Sequence, residues 1–211
     1  MNPLLKVYEK CVGNPWVYDR LRPMFFGGFD FTNIYAWLGN TEQDVLLDVG
    51  CGTGAAFEYL KGFRAYHGFD TDARALRRLQ KLYARENVHL YNELLSPARL
   101  DQLRPDKVLM MGLIHHVPDS AARELLAMLG KCDSIRRIIT LDIVYLPGRS
   151  LNNLITWMDR GRYGRRTEQY LQLLEDSPFH AQKTQLVGSG NGVSEFYCMC
   201  LERKSAFVAP N

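Results

Sequence analysis

The chain has 211 residues, enough for one domain with a sizeable core. An apolar share of 46%, a charged share of 23% and a net charge of +3 describe an ordinary globular composition and argue against a strongly basic nucleic-acid domain. The five cysteines (Cys11, Cys51, Cys132, Cys198 and Cys200) form no C-x-x-C pair, so neither a disulfide framework nor a structural zinc site is expected.

In chain order, residues 1–40 are rich in aromatics and read as short helices broken at Pro15, Pro23 and Gly27-Gly28, with Leu4, Leu5 and Tyr8 at helical spacing. No apolar run resembles a signal peptide or a membrane span, so a reducing cytoplasm is the expected compartment and no membrane the expected partner. VLLDVG is an apolar run ending in glycine, as in a buried parallel strand. AAFEYLKG follows as a helix closed by Gly62. RAYHGFD reads as a second strand. DARALRRLQKLYARE reads as an amphipathic helix with Leu76, Leu79, Leu82 and Tyr83 inward. NVHLYN and DKVLMMGLI supply strands three and four. AARELLAMLGK is a helix capped near Asp119 or Ser120. RRIITLDIVY is the fifth strand. Residues 150–175 return to helix, interrupted at Gly161 and Gly164. KTQLVG and SEFYCMCLER close the chain as a hairpin around Ser189-Gly190-Asn191-Gly192, with Cys198 and Cys200 as buried thiols. Alternating strands and helices followed by a strand pair predict an open, mostly parallel sheet with helices on both faces. Its ligand site belongs beyond the carboxyl ends of the strands.

The loop LDVGCGTG lies at such an end. Glycine allows positive φ and lets a ligand approach the backbone. The spacing is G-x-G-x-G rather than the dinucleotide fingerprint G-x-G-x-x-G. Asp48, two residues before the first glycine, would repel a pyrophosphate and favour a ligand with an amino group. Strand two ends in Gly68-Phe69-Asp70, which places a carboxylate where it can accept ribose hydroxyls. S-adenosylmethionine meets the requirements of a ribose, a cationic or amino-acid portion and no diphosphate.

DVGCGTG together with Asp70 resembles the class I S-adenosylmethionine-dependent methyltransferases, from about Asp44 to Tyr145. The resemblance implies a Rossmann-like α/β fold: a seven-stranded, mostly parallel sheet with an antiparallel C-terminal hairpin. It divides the chain into a helical cap or lid over residues 1–40 and a methyltransferase domain over 41–211. It implies cofactor contacts from Gly50, Cys51, Gly52 and Gly54, with Asp48 orienting the loop or meeting the amino group. Asp70 would hold the ribose, with Thr71 and Asn92 (or Glu93) near the adenine and Gly112 at the end of strand four. Tyr18 and Arg20, on a lid, would reach the methionine carboxylate. Cys51 itself is expected to be a small filler.

GLIHHVPD resembles the L-H-H-L/V-x-D stretch of bacterial small-molecule methyltransferases. One of His115 and His116 could serve as base for a hydroxyl or amine acceptor. No N/D-P-P-Y and no Pro-Cys nucleophile is present, and no acid ends strand four, so no metal is expected. TWMDRGRYGRRTEQYLQLLE resembles a D-R-G-R-[FY]-x-R stretch of biosynthetic methyltransferases and falls in an insertion over about 146–176 that shapes the acceptor pocket. Arg160, Arg162 and Tyr163 are the expected substrate contacts, unless the arginines are a solvated helix face with local Asp–Arg pairs. The expectation is a monomeric or homodimeric enzyme that methylates oxygen or nitrogen of a small molecule, without a nucleic-acid partner. RNA methylation, a non-catalytic S-adenosylmethionine-binding protein and a nucleotide-dependent oxidoreductase are the alternatives.

Overall fold

A computed structural model describes residues 28–159 and 161–204. The elements are α1 (Thr32–Leu38), β1 (Val45–Val49), β2 (Ala65–Phe69), α2 (Ala73–Tyr83), β3 (Val88–Tyr91), α3 (Pro97–Leu103), β4 (Lys107–Met111), α4 (Asp119–Gly130), β5 (Arg137–Ile143), α5 (Ser150–Met158), α6 (Thr167–Gln172), β6 (Phe179–Gly188) and β7 (Glu195–Arg203), with 3-10 turns at Ala55–Glu58 and Ile114–His116. The seven strands form one sheet in the order β3-β2-β1-β4-β5-β7-β6. The first five are parallel, and β7 runs antiparallel between β5 and β6. Strand order reverses between β1 and β4, so a crevice opens beyond their carboxyl ends.

Period-2 alternation divides the strands between two cores. Leu47, Val108, Met110 and Ile138 join Leu100 of α3 and Leu126 and Leu129 of α4 on one face. Leu46, Leu109, Ile139 and Leu141 join Ile34 and Leu38 of α1 and Leu76 and Leu79 of α2 on the other. Each fully buried Leu or Ile contributes about 1.5–3 kcal/mol relative to exposure. Helices therefore cover both faces, as the alternation of patterns predicts. At the opposite end of the sheet, Lys107 Nζ meets Asp44 Oδ2 at 2.9 Å, and Arg136 meets Asp44 Oδ1 at 2.7 Å. That cluster ties strand starts together, far from the crevice.

Several local expectations change. AAFEYLKG forms only the turn Ala55–Glu58 rather than a helix. Its aromatics are claimed by different partners: Phe57 stacks on Tyr83 at 4.6 Å and Tyr59 on Tyr35 at 4.6 Å. Tertiary contact overrides helix propensity there. Leu82 is exposed, because α2 is buried only along Ala75, Leu76 and Leu79. The start of α4 has Pro118 at its cap and no side-chain cap, since Asp119 is engaged by Arg165. Helix α3 is an addition to the expected set; Ser96 caps it and Pro97 begins it. Of the expected cap over 1–40, α1 packs into the sheet core through Ile34, Tyr35 and Leu38. Residues 1–27, with Trp16, Tyr18 and Arg20, lie outside the described residues. Among the described residues, no helix is long and apolar enough to cross a membrane.

Candidate active site

The loop after β1 is shaped by three glycines at positive φ: Gly50 at 76°, Gly52 at 53° and Gly54 at 86°. Gly50 and Cys51 donate their amides to Phe69 O at 2.8 and 3.1 Å, which seats the loop on the end of β2. A Cβ on Gly54 would come within 2.8 Å of Leu79 Cγ, whereas one on Gly52 would meet nothing within 4 Å. Gly54 thus serves close packing against α2, and Gly52 presents open backbone to the crevice. The Gly52 amide donates to Asp70 Oδ2 at 2.8 Å.

Asp70 follows β2 and is held on three sides. Its amide donates to Tyr91 O at 3.1 Å, its Oδ1 accepts from Asp72 N at 2.8 Å, and its carbonyl accepts from Asn92 Nδ2 at 3.0 Å. A carboxylate offers about four acceptor positions, so capacity for two hydroxyls remains. Thr71 and Asn92 are both exposed beside it. Glu93 turns instead to Arg99, with Oε1 accepting from Nε at 2.8 Å. Of the two residues expected near an adenine, Asn92 is the one tied to Asp70.

Asp48 is only 2% exposed. Its Oδ2 accepts from the Tyr66 hydroxyl at 2.6 Å, and its Oδ1 is buried without a protein partner. Burial is the main cause that raises its pKa to about 7; the Tyr66 hydrogen bond opposes this and the Asp70 charge adds to it. Cys51 is buried with its thiol pushed far up by burial, the filler its size suggests and no nucleophile.

Strand β4 ends at Gly112, with φ at 72°, and Leu113 then packs against Gly50, whose added Cβ would lie 3.1 Å from Leu113 Cδ1. His115 follows directly, 4% exposed. Its Nδ1 pairs with Asp142 Oδ1 of β5 at 2.7 Å, and its Nε2 faces Asp159 Oδ1 at 3.4 Å. Burial works against the charged ring, but hydrogen bonds and charge from Asp142 and Asp159 outweigh it and raise the pKa to about 9. That direction runs against the neutral base expected of one histidine of the pair. His116 lies exposed beside it, ring centroids 4.2 Å apart.

The DRGRYGR segment is a clamp on this histidine turn. Gly161 N donates to Asp159 Oδ1 at 2.7 Å, and Tyr163 N donates to His115 O at 3.0 Å. Arg165, 4% exposed, donates to Ile114 O, Val117 O and Tyr163 O at 2.8–2.9 Å and to Asp119 Oδ1 at 2.7 Å. It is neither a solvated arginine nor exposed to an acceptor. Arg162 and Tyr163 are exposed at the surface, and Arg160 lies outside the described residues. Sequence reasoning passed over Asp142. The signal for it was an acid inside the otherwise apolar run RIITLDIVY.

Residues 46–132 match the family model described as a methyltransferase domain. No curated protein matches the chain in sequence. Among solved structures, the magnesium protoporphyrin IX methyltransferase of Synechocystis PCC 6803, crystallised with bound SAH, is 20% identical with a TM-score of 0.60, over 82% of this chain and 80% of its own. A SAM-dependent methyltransferase of Anabaena variabilis ATCC 29413 is 17% identical with a TM-score of 0.59, over 78% of this chain and 79% of its own. The methyltransferase domain of bacterial CtHen1 is 13% identical with a TM-score of 0.60, over 82% of this chain and 98% of its own. At these identities the likeness establishes the fold. Residues 46–132 thus match a methyltransferase-domain model, and the seven-stranded sheet has the Rossmann-like fold of these methyltransferase structures.

Proposed function

We propose that this methyltransferase-domain protein holds S-adenosylmethionine between Gly52 and Asp70 and presents it to an oxygen or nitrogen of a small-molecule acceptor, in the biosynthesis of a secondary metabolite or a modified sugar or amino acid. The observation that carries the reading is the Asp70 carboxylate, fixed by backbone amides at the mouth of a crevice whose other wall is bare glycine backbone. The residues present suit the donor in three respects. Asp70 retains acceptor capacity for a ribose diol, Gly52 leaves room where the methionine half would run, and Asp48 holds a buried carboxylate oxygen in want of a donor. When bound, the donor supplies a methyl group already activated on a sulfonium.

What remains for the chain is alignment. The glycine loop, Asp70 and the clamped turn at His115 fix the walls of the crevice relative to one another. His116, exposed next to that turn, is our candidate base to take a proton from an acceptor hydroxyl or amine. The acceptor side is supported by the apolar surface of α5 and the following loop, where Leu151, Leu154, Trp157, Met158 and Tyr163 are exposed. Such a surface suits an organic acceptor with apolar bulk better than a phosphate backbone.

Calorimetric titration with S-adenosylhomocysteine, with NADH and NADPH for comparison, tests the donor. Micromolar binding of the first alone is the expected result, and binding of a dinucleotide instead would overturn the reading. Transfer of labelled methyl to members of a panel of phenols, amines, sugars and amino acids, with no transfer to RNA, is expected for the acceptor.

A further inference from the structure

The ligand atoms of His115, His116 and Asp159 all lie within 4.8 Å of one another. His115 is buried, Asp159 half-buried and His116 exposed, so the cluster opens towards solvent on one side. The geometry around His115 is that of a histidine oriented for coordination. Asp142 Oδ1 meets Nδ1 at 2.7 Å, which leaves Nε2 as the atom turned to Asp159, 3.4 Å away. A carboxylate behind the ring is the usual partner that fixes tautomer and orientation in a metal-binding histidine. Bonds of about 2.0–2.1 Å in tetrahedral geometry set neighbouring ligand atoms roughly 3.3–3.4 Å apart. The observed 3.4 Å fits that edge without movement of either residue.

The cluster is also held in place. Asp159 Oδ1 accepts from Gly161 N at 2.7 Å. Gly161 sits so close to His115 that an added Cβ would fall 2.1 Å from Cδ2. Two carboxylates, Asp142 and Asp159, face one imidazole ring, which gives the pocket an excess of negative charge.

We propose that His115 Nε2, His116 and Asp159 bind a divalent first-row transition ion, of which Zn2+ and Mn2+ are representative. Two imidazoles and one carboxylate suit such an ion, whereas Mg2+ and Ca2+ require mostly oxygen ligands. On binding, any proton on Nε2 passes to bulk water and the ion takes its place between the ring and Asp159. Solvent or an acceptor completes the shell on the open side. The sequence pattern hides this set because Asp159 reaches the histidine turn from beyond β5. In the methyl-transfer reading, on which this role but not the binding depends, the ion is held at His115, two residues beyond Leu113, which packs against Gly50 of the glycine loop. There it holds an acceptor oxygen and lowers the pKa of its hydroxyl; with the ion bound, His116 serves as a ligand rather than as the base, and the acceptor's proton passes to solvent.

The test is a titration of tag-free, chelator-stripped full-length protein with Co2+, followed by its visible absorption. One saturable equivalent is expected. His116→Ala and Asp159→Asn should each weaken it by about tenfold or more, the scale on which coordination and its support act. His67→Ala, which removes the stacked His67–His89 pair on the neighbouring strands, should leave the titration as it was. Absence of saturable binding, binding that survives both ligand substitutions, or loss on His67→Ala would each overturn the site. Because His116 is exposed, an unchanged circular dichroism spectrum for His116→Ala separates lost ligation from lost fold. The titration contains no methyl donor, so its failure leaves the donor site standing, and failure of S-adenosylhomocysteine to bind leaves the metal site standing.

Discussion

The backbone amide of Gly52 donates to Asp70 Oδ2 at 2.8 Å, so the tip of the glycine loop is tied to the carboxylate that follows β2. One side chain therefore both orders the loop and faces the crevice. Asp70→Ala removes the loop anchor and two charge-assisted acceptors together. The expected loss in S-adenosylhomocysteine affinity is about 2–4 kcal/mol, or roughly 30- to 1000-fold, by calorimetry. Asp70→Asn keeps an acceptor for Gly52 and should lose less. Equal affinity for Asp70→Ala and the parent protein would remove Asp70 from the site.

The two glycines on either side of Thr53 should fail in different ways. Gly54→Ala forces a Cβ to within 2.8 Å of Leu79 Cγ at a φ of 86°. Overpacking and the left-handed backbone together should cost about 2–5 kcal/mol of stability. Gly52→Ala meets open space at a φ of 53°, so its cost is the backbone alone, about 1–2 kcal/mol. Its methyl group points into the crevice, and ligand affinity should fall more than stability. Urea denaturation beside calorimetry reads both; a Gly54→Ala protein as stable as Gly52→Ala would contradict the packing argument.

Much of this arrangement is legible in the residues. The β1 loop, the position of Asp70 after the second strand and the succession of strands along the chain follow from glycine spacing and from hydrophobic period, because both record local geometry. The histidine pair was visible too, but not its chemistry. The charged form of His115 is favoured by Asp142 and Asp159, which are distant in sequence and meet it only through β4–β5 pairing and the return of the loop after α5. Arg165 looked like one of several surface arginines for the same reason: nothing in DRGRYGR says which guanidinium turns inward. The helix expected at AAFEYLKG failed because Phe57 and Tyr59 answer to partners on α2 and α1.

Asp48 makes stability depend on pH. Its folded pKa of about 7 lies above the unfolded value of about 3.9, so the folded state keeps a proton that the unfolded state releases. That contribution is fully present below pH 4 and is lost as pH rises from there through 7. Asp48→Asn removes the ionisation while an amide oxygen can still accept from Tyr66. The variant should show a flatter melting temperature between pH 4.5 and 7.5 and gain about 1–3 kcal/mol over the parent protein at pH 8. It should at the same time bind S-adenosylhomocysteine less well. A parent-like pH slope in the variant would assign the dependence to other groups.

Arg165 and Arg162 provide the sharpest test of the clamp on the histidine turn. Arg165 satisfies the carbonyls of Ile114, Val117 and Tyr163 and pairs with Asp119, all from a position 4% exposed. Arg165→Met keeps much of the side-chain bulk but strips those acceptors of their donor. Buried acceptors left without partners cost about 1–3 kcal/mol each, shared here among groups that water can partly reach, so a total of about 3–5 kcal/mol is expected. Arg162 is exposed, and Arg162→Met should change stability by less than about 0.5 kcal/mol. If instead Arg162 binds an acidic group on the acceptor, Arg162→Met raises KM for that acceptor alone. Denaturant unfolding of both variants separates the roles: a large loss at 165 with none at 162 marks the clamp. The reverse order would mean that the turn at His115 is held by its own backbone and that Arg165 only fills space.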